Sequence, residues 1–75
     1  MNIHILKKYC NEHNITSRAL ALDLGITEVH VYNIWRYRNI PSPKLALRIE
    51  EYTNHEIKAV DLLYPDKNIS TNTNK

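Results

Sequence analysis

The chain has one cysteine, one glycine, no phenylalanine and no apolar run long enough to cross a membrane. Each shortage excludes something. The lone Cys10 cannot form a disulfide within the chain, which points to a reducing compartment, the cytoplasm. Scarce glycine, set against many Leu, Ile, Ala, Lys and Glu, argues for helices over tight hairpins. The opening MNIHILKKYC carries two lysines and reads as neither a signal peptide nor a span, so no membrane partner is expected. There is no glycine-rich phosphate loop, nucleophile elbow or paired-carboxylate arrangement. Catalysis therefore has no positive support, and no cofactor is implied. Cys10 and His13 stand three apart, but Cys10 belongs to an apolar face and no second tight pair accompanies it, so zinc is not expected.

What is present is a chain of 75 residues with a net charge of +2. That length makes one domain, over residues 1–65, with a small core that is marginal unless the protein dimerises. A mildly basic balance permits nucleic acid as a partner without establishing it.

Apolar periodicity divides the chain into helices. Residues 2–14 fit a first helix, with Ile3, Leu6 and Cys10 on one face. Thr16 is an N-cap type for a second helix over about 17–24, its hydroxyl within reach of the amide near Ala19. Leu20, Ala21 and Leu24 share one side of that helix, and Gly25 ends it, because glycine enters the left-handed conformation without a Cβ clash. Thr27 caps a third helix running to about Arg36, with Val31, Ile34 and Trp35 inward. Ser42 followed by Pro43 is an N-cap and first-turn pair, opening a fourth helix that buries Leu45, Ala46 and Ile49. Beyond Asn54-His55, a short helix at residues 59–63 competes with an extended segment at 56–58, and Pro65 stops either one. The tail 66–75 lacks apolar periodicity and is expected to be disordered. The fold class is all-α, a four- to five-helix domain.

Two short helices joined at a glycine, with small Ala21 in the first and β-branched Val31 in the second, describe a helix-turn-helix. A small side chain lets the two backbones approach, and the branched one fills the gap left at the crossing. Residues 16–36 resemble the helix-turn-helix of Cro-like and cI-like phage and plasmid repressors. The stretch IPSPKLALRIEEYTNHEIKAVDLLYP resembles the segment that follows it in short Cro-like and YdaS-like regulators. The resemblance spans about residues 3–65 and implies a λ-repressor-like fold and double-stranded DNA as partner. Two positions depart from the pattern. Ser17 stands where the family often has a glutamine that contacts a phosphate and braces the next helix. Tyr37-Arg38-Asn39 stands where a glycine commonly follows the recognition helix.

With Val31 inward and 100° per residue, Val29, Asn33 and Arg36 fall nearly opposite it, flanked by Tyr32 and His30. Such a face suits a major groove. Asn33 can pair with adenine, Val29 can pack on a thymine methyl, and Arg36 can reach guanine or a phosphate. Thr27 or Tyr32 can bond a base edge or a phosphate. Glu28 has two readings, an acceptor for cytosine N4 or a first-turn acid favoured by the helix dipole. By resemblance, Thr27, Glu28, Val29 and Asn33 match base-reading positions. Residues 16–48 hold five cations, Arg18, Arg36, Arg38, Lys44 and Arg48, against Asp23 and Glu28. Arg18, Arg38 and Lys44 are expected on phosphates, together with Ser17 at the amino end of the second helix. Arg48 has an alternative partner in Glu50 or Glu51, and Trp35 reads better as core or dimer surface than as a base contact.

The function expected is a Cro-like repressor of bacterial, phage or plasmid type. It binds a short palindromic operator as a homodimer, with Ile57, Val60, Leu62, Leu63 and Tyr64 as the surface for the second copy. The alternative is an antitoxin or YdaS-like protein-interaction module working through Trp35, Tyr37 and the C-terminal segment.

Overall fold

A computed structural model describes residues 3–65. The elements are five helices, α1 (Ile5–Glu12), α2 (Ser17–Leu24), α3 (Glu28–Trp35), α4 (Pro43–Tyr52) and α5 (Ala59–Leu63). No strand occurs among the described residues, and no helix is long and apolar enough to cross a membrane. The tail expected to be disordered lies outside the described residues.

The chain divides into two units, Met1–Ile40 and Pro41–Lys75. In the first, α2 packs against α3. Leu6, Cys10, Leu20, Ala21, Leu24, Val31 and Ile34 are buried. Full burial of each Leu, Val or Ile contributes about 1.5–3 kcal/mol, and a unit this small depends on all of them. Burial also pushes the Cys10 thiol up, outweighing the opposite pull of nearby Lys7 and favouring its protonated form. In the second unit, α4 packs against α5 over Leu45, Ala46, Ile49, Ile57, Ala59 and Leu62.

The expected caps form. Thr16 Oγ1 accepts from the Ala19 amide at 3.0 Å, Thr27 Oγ1 from His30 at 3.1 Å, and Ser42 Oγ from Leu45 at 3.2 Å. Helix ends follow one rule. In each of α1 to α4 the chain turns through a left-handed residue, and the next amide reaches back to the carbonyl five residues before it. Those closing bonds are Ile15 to Cys10, Ile26 to Ala21, Arg38 to Asn33 and His55 to Glu50. The left-handed residues that make these turns are Asn14, Gly25, Tyr37 and Asn54, the last followed by a second left-handed residue, His55. The single glycine thus serves the turn between α2 and α3, and asparagine serves two of the others.

The first helix is shorter than residues 2–14. His4 is its N-cap, with Nδ1 accepting from the Leu6 amide at 3.0 Å. Ile3 therefore lies outside the helix and is exposed instead of sharing a face with Leu6 and Cys10. Asn14 turns the chain at the other end. Residues 59–63 are helical, as one of the two expectations had it. Glu50 Oε1 accepts from the Ala59 amide at 2.8 Å and so performs the capping that Lys58 does not.

Candidate nucleic-acid interface

The outward face of α3 is built by its inward one. Val31 and Ile34 are fully buried, so 100° per residue carries Val29 and Asn33 to the far side. Val29 is 66% exposed, an unfavourable place for an apolar side chain with nothing to cover it. Asn33 is half-buried beside it, and Arg36 is exposed at the C-cap. Thr27 is exposed, its hydroxyl engaged in capping. Tyr32, on the flank, is partly exposed, with its ring 5.7 Å from the Arg36 guanidinium and 5.7 Å edge-on to Trp35.

Trp35 sits between the two helical faces. Lys7 of α1 places its ammonium 4.7 Å from the indole centroid, a cation–π contact. The indole Nε1 is enclosed and has no hydrogen-bond partner among the described residues. This half-buried ring fits the expectation of a core-side residue.

At the amino end of α3 three oxygens meet. Ser17 Oγ lies 2.6 Å from Glu28 Oε2 and 3.0 Å from the Tyr32 hydroxyl, and that hydroxyl is 3.3 Å from the same carboxylate oxygen. The start of α2 is thereby tied to the first turn of α3. The sequence sets Glu28 and Tyr32 together as base-reading candidates and Ser17 on a phosphate, a departure from the glutamine that braces the next helix in related sequences, yet Ser17 makes a brace to α3 here. The spacing of four between Glu28 and Tyr32 signalled one contact, but the approach of Ser17 comes from the fold.

The phosphate candidates divide between the units. Arg18 and Arg38 are exposed in the first, where Ser17 is half-buried, and Lys44 is exposed on the first turn of α4 in the second. Tyr37, in the turn after α3 where the resemblance leads one to expect glycine, adopts the left-handed conformation at φ 61°.

A helix, a left-handed elbow, and a second helix with its polar face outward are thus all in place. A family model described as Helix-turn-helix matches residues 6–57. The chain belongs to the Cro/C1-type helix-turn-helix family. No curated protein and no solved structure matches it significantly. The helix-turn-helix family is one of DNA-binding transcriptional regulators, and DNA is the partner its fold implies. In these terms α2 is the supporting helix, Gly25 the elbow and α3 the recognition helix. No cluster of His, Cys, Asp or Glu suited to a metal occurs among the described residues.

Proposed function

We propose that this helix-turn-helix protein is a sequence-specific repressor that inserts α3 into the major groove of a short palindromic operator. The observation that carries the reading is the outward pairing of exposed Val29 with Asn33 and Arg36, braced from beneath by buried Val31 and Ile34. A face with one apolar and two hydrogen-bonding side chains matches base edges better than it matches water. Thr27 and Glu28 complete the base-reading set, with the Tyr32 hydroxyl beside the Glu28 carboxylate. Arg18, Arg38 and Lys44 grip phosphates, joined by the backbone amide of Ser17 at the start of α2.

So few cations bind one half-site weakly, and a homodimer on a two-fold site doubles the contacts. Of the residues expected to meet a second copy, Ile57 and Leu62 are consumed by the core of their own unit. Val60 and Tyr64 are exposed and Leu63 is half-buried, leaving these three to offer a surface. The reading as a protein-interaction module draws less support, because Trp35 is held between Lys7 and Tyr32 with its indole N–H enclosed.

The test is binding to DNA from upstream of the protein's own gene against unrelated duplex of equal length at moderate salt. Preference of about a thousandfold or more for one site is expected. Equal affinity for both duplexes would overturn the reading.

A further inference from the structure

The Ser17–Glu28–Tyr32 cluster has a direction. It holds three side-chain oxygens close together but only two hydroxyl hydrogens, because an ionised carboxylate supplies none. The 2.6 Å contact from Ser17 Oγ to Glu28 Oε2 is a short hydroxyl-to-carboxylate bond, the stronger charge-assisted kind, so the Ser17 hydrogen goes there. The Tyr32 hydrogen then goes to Ser17 Oγ at 3.0 Å or to Glu28 Oε2 at 3.3 Å. Both hydrogens point into the cluster in either case. Glu28 Oε1 receives no hydrogen bond from the described residues. What the cluster presents outward is lone pairs alone.

Resting on the repressor reading above, we infer that Ser17 and Tyr32 are positioning residues that lock Glu28 as an acceptor-only reader of cytosine. Guanine offers two acceptors in the major groove, and thymine offers an acceptor and a methyl group. Adenine offers a donor beside an acceptor, and only cytosine offers a donor with no acceptor on the same base. An acceptor-only cluster accepts from cytosine N4 and repels the other edges, and it repels phosphate oxygens too. Glu28 has three rotatable side-chain bonds and would otherwise sample many directions. A hydroxyl from its own helix and another from α2 hold one carboxylate oxygen and so narrow the directions open to the second. The inference also settles the use of Ser17. Its hydroxyl hydrogen is committed to Glu28, and only its backbone amide remains for a phosphate.

The experiment is selection of binding sites from random duplexes by the full chain and by three variants, Glu28→Gln, Ser17→Ala/Tyr32→Phe and Ser17→Thr, each checked for folding by thermal melting. The wild type is expected to enrich a motif with one invariant cytosine per half-site. Glu28→Gln is expected to lose that preference about 5- to 100-fold while the other positions stay sharp. The double variant is expected to blur the same position several-fold, and Ser17→Thr, which keeps a hydroxyl, to preserve it. A measurement on the wild type alone guards against misfolded variants. Replacing the cytosine pair by a thymine pair exchanges the N4 donor for an acceptor and is expected to weaken binding at least tenfold. A sharp motif with no cytosine that responds to Glu28, or one unmoved in the double variant, overturns this inference and leaves the repressor reading standing. No enriched motif at all overturns both.

Discussion

The imidazole of His4 rests against the phenol ring of Tyr37, with centroids 4.9 Å apart and planes tilted by 52°. The contact joins the residue that starts α1 to the residue that ends α3. It also explains how a tyrosine is kept at φ 61°, where a Cβ is crowded and glycine is the usual occupant. The ring contact offsets a backbone cost of about 1 kcal/mol.

Substituting this tyrosine separates the two terms. Tyr37→Ala keeps the crowded backbone and loses the ring, and is expected to cost about 1–2 kcal/mol. Tyr37→Gly loses the ring but relieves the backbone, and is expected to be about 1 kcal/mol more stable than Tyr37→Ala. Urea unfolding of both variants gives the difference. Equal midpoints would show that the conformation carries no strain.

His4 makes stability depend on pH. Its burial lowers its pKa from 6.5 to about 4, and its Nδ1 can accept from Leu6 only while unprotonated. The unfolded chain therefore takes up a proton first as pH falls. The stabilisation is complete above pH 6.5 and is lost progressively as pH falls toward 4, by about 3 kcal/mol in all. Between pH 6.5 and 5 the loss belongs to His4. Further down, Glu50 adds to it, because its bonds from His55 and the Ala59 amide hold its pKa below the usual value and its contribution disappears in acid. His4→Asn keeps a capping side chain without the titration. Unfolding free energies of both proteins across this range are expected to converge as pH falls from 7 to 5, and parallel curves would refute the assignment.

Thr53 is the buried hinge between α4 and α5. Its hydroxyl donates to the carbonyl of Ile49 or Glu50 and accepts from the Ile57 amide at 3.1 Å. Thr53→Val keeps the shape but orphans that amide, at an expected cost of about 1–3 kcal/mol. Thr53→Ser keeps the bonds and loses one methyl, at about 1 kcal/mol. Denaturant midpoints rank the two, and hydrogen exchange at Ile57 should quicken in the valine variant alone. The reverse ranking would mean that packing, not the hydroxyl, holds this corner.

Two outward residues separate recognition from grip. Asn33→Ala is expected to reduce discrimination between operator and random DNA by about 1–3 kcal/mol while leaving random binding nearly unchanged. Arg38→Ala is expected to weaken both about equally and to flatten the salt slope by about one unit. Filter binding across a salt series measures both quantities. Identical behaviour of the two variants would erase the division between base and phosphate contacts.

Much of this molecule was legible from order alone. Thr16, Thr27 and Ser42 announce helix starts because a cap reaches only two or three residues along the chain. Leu20, Ala21, Leu24, Gly25, Val31 and Ile34 announce the elbow because their spacing is helical. The outward stripe of α3 follows from the inward one by the same arithmetic. His4 gives little warning, since histidine is not among the favoured capping residues, and the only sign of the left-handed Tyr37 is its place in a turn where related sequences commonly carry glycine.

The remainder lies in contacts between residues distant along the chain. Glu28 reads from sequence as either a dipole-favoured acid or a base acceptor, and nothing local chooses between them. Ser17, eleven residues earlier, comes within hydrogen-bonding distance of the Glu28 carboxylate only through the fold. Ile57 and Leu62 likewise look as available as Val60 until α5 folds back on α4 and buries them. Short-range patterns specify helices and their ends because the interacting groups are neighbours in the chain. Partners across a turn are specified only when packing closes the distance, since hydrogen bonds and burial depend on separation in space.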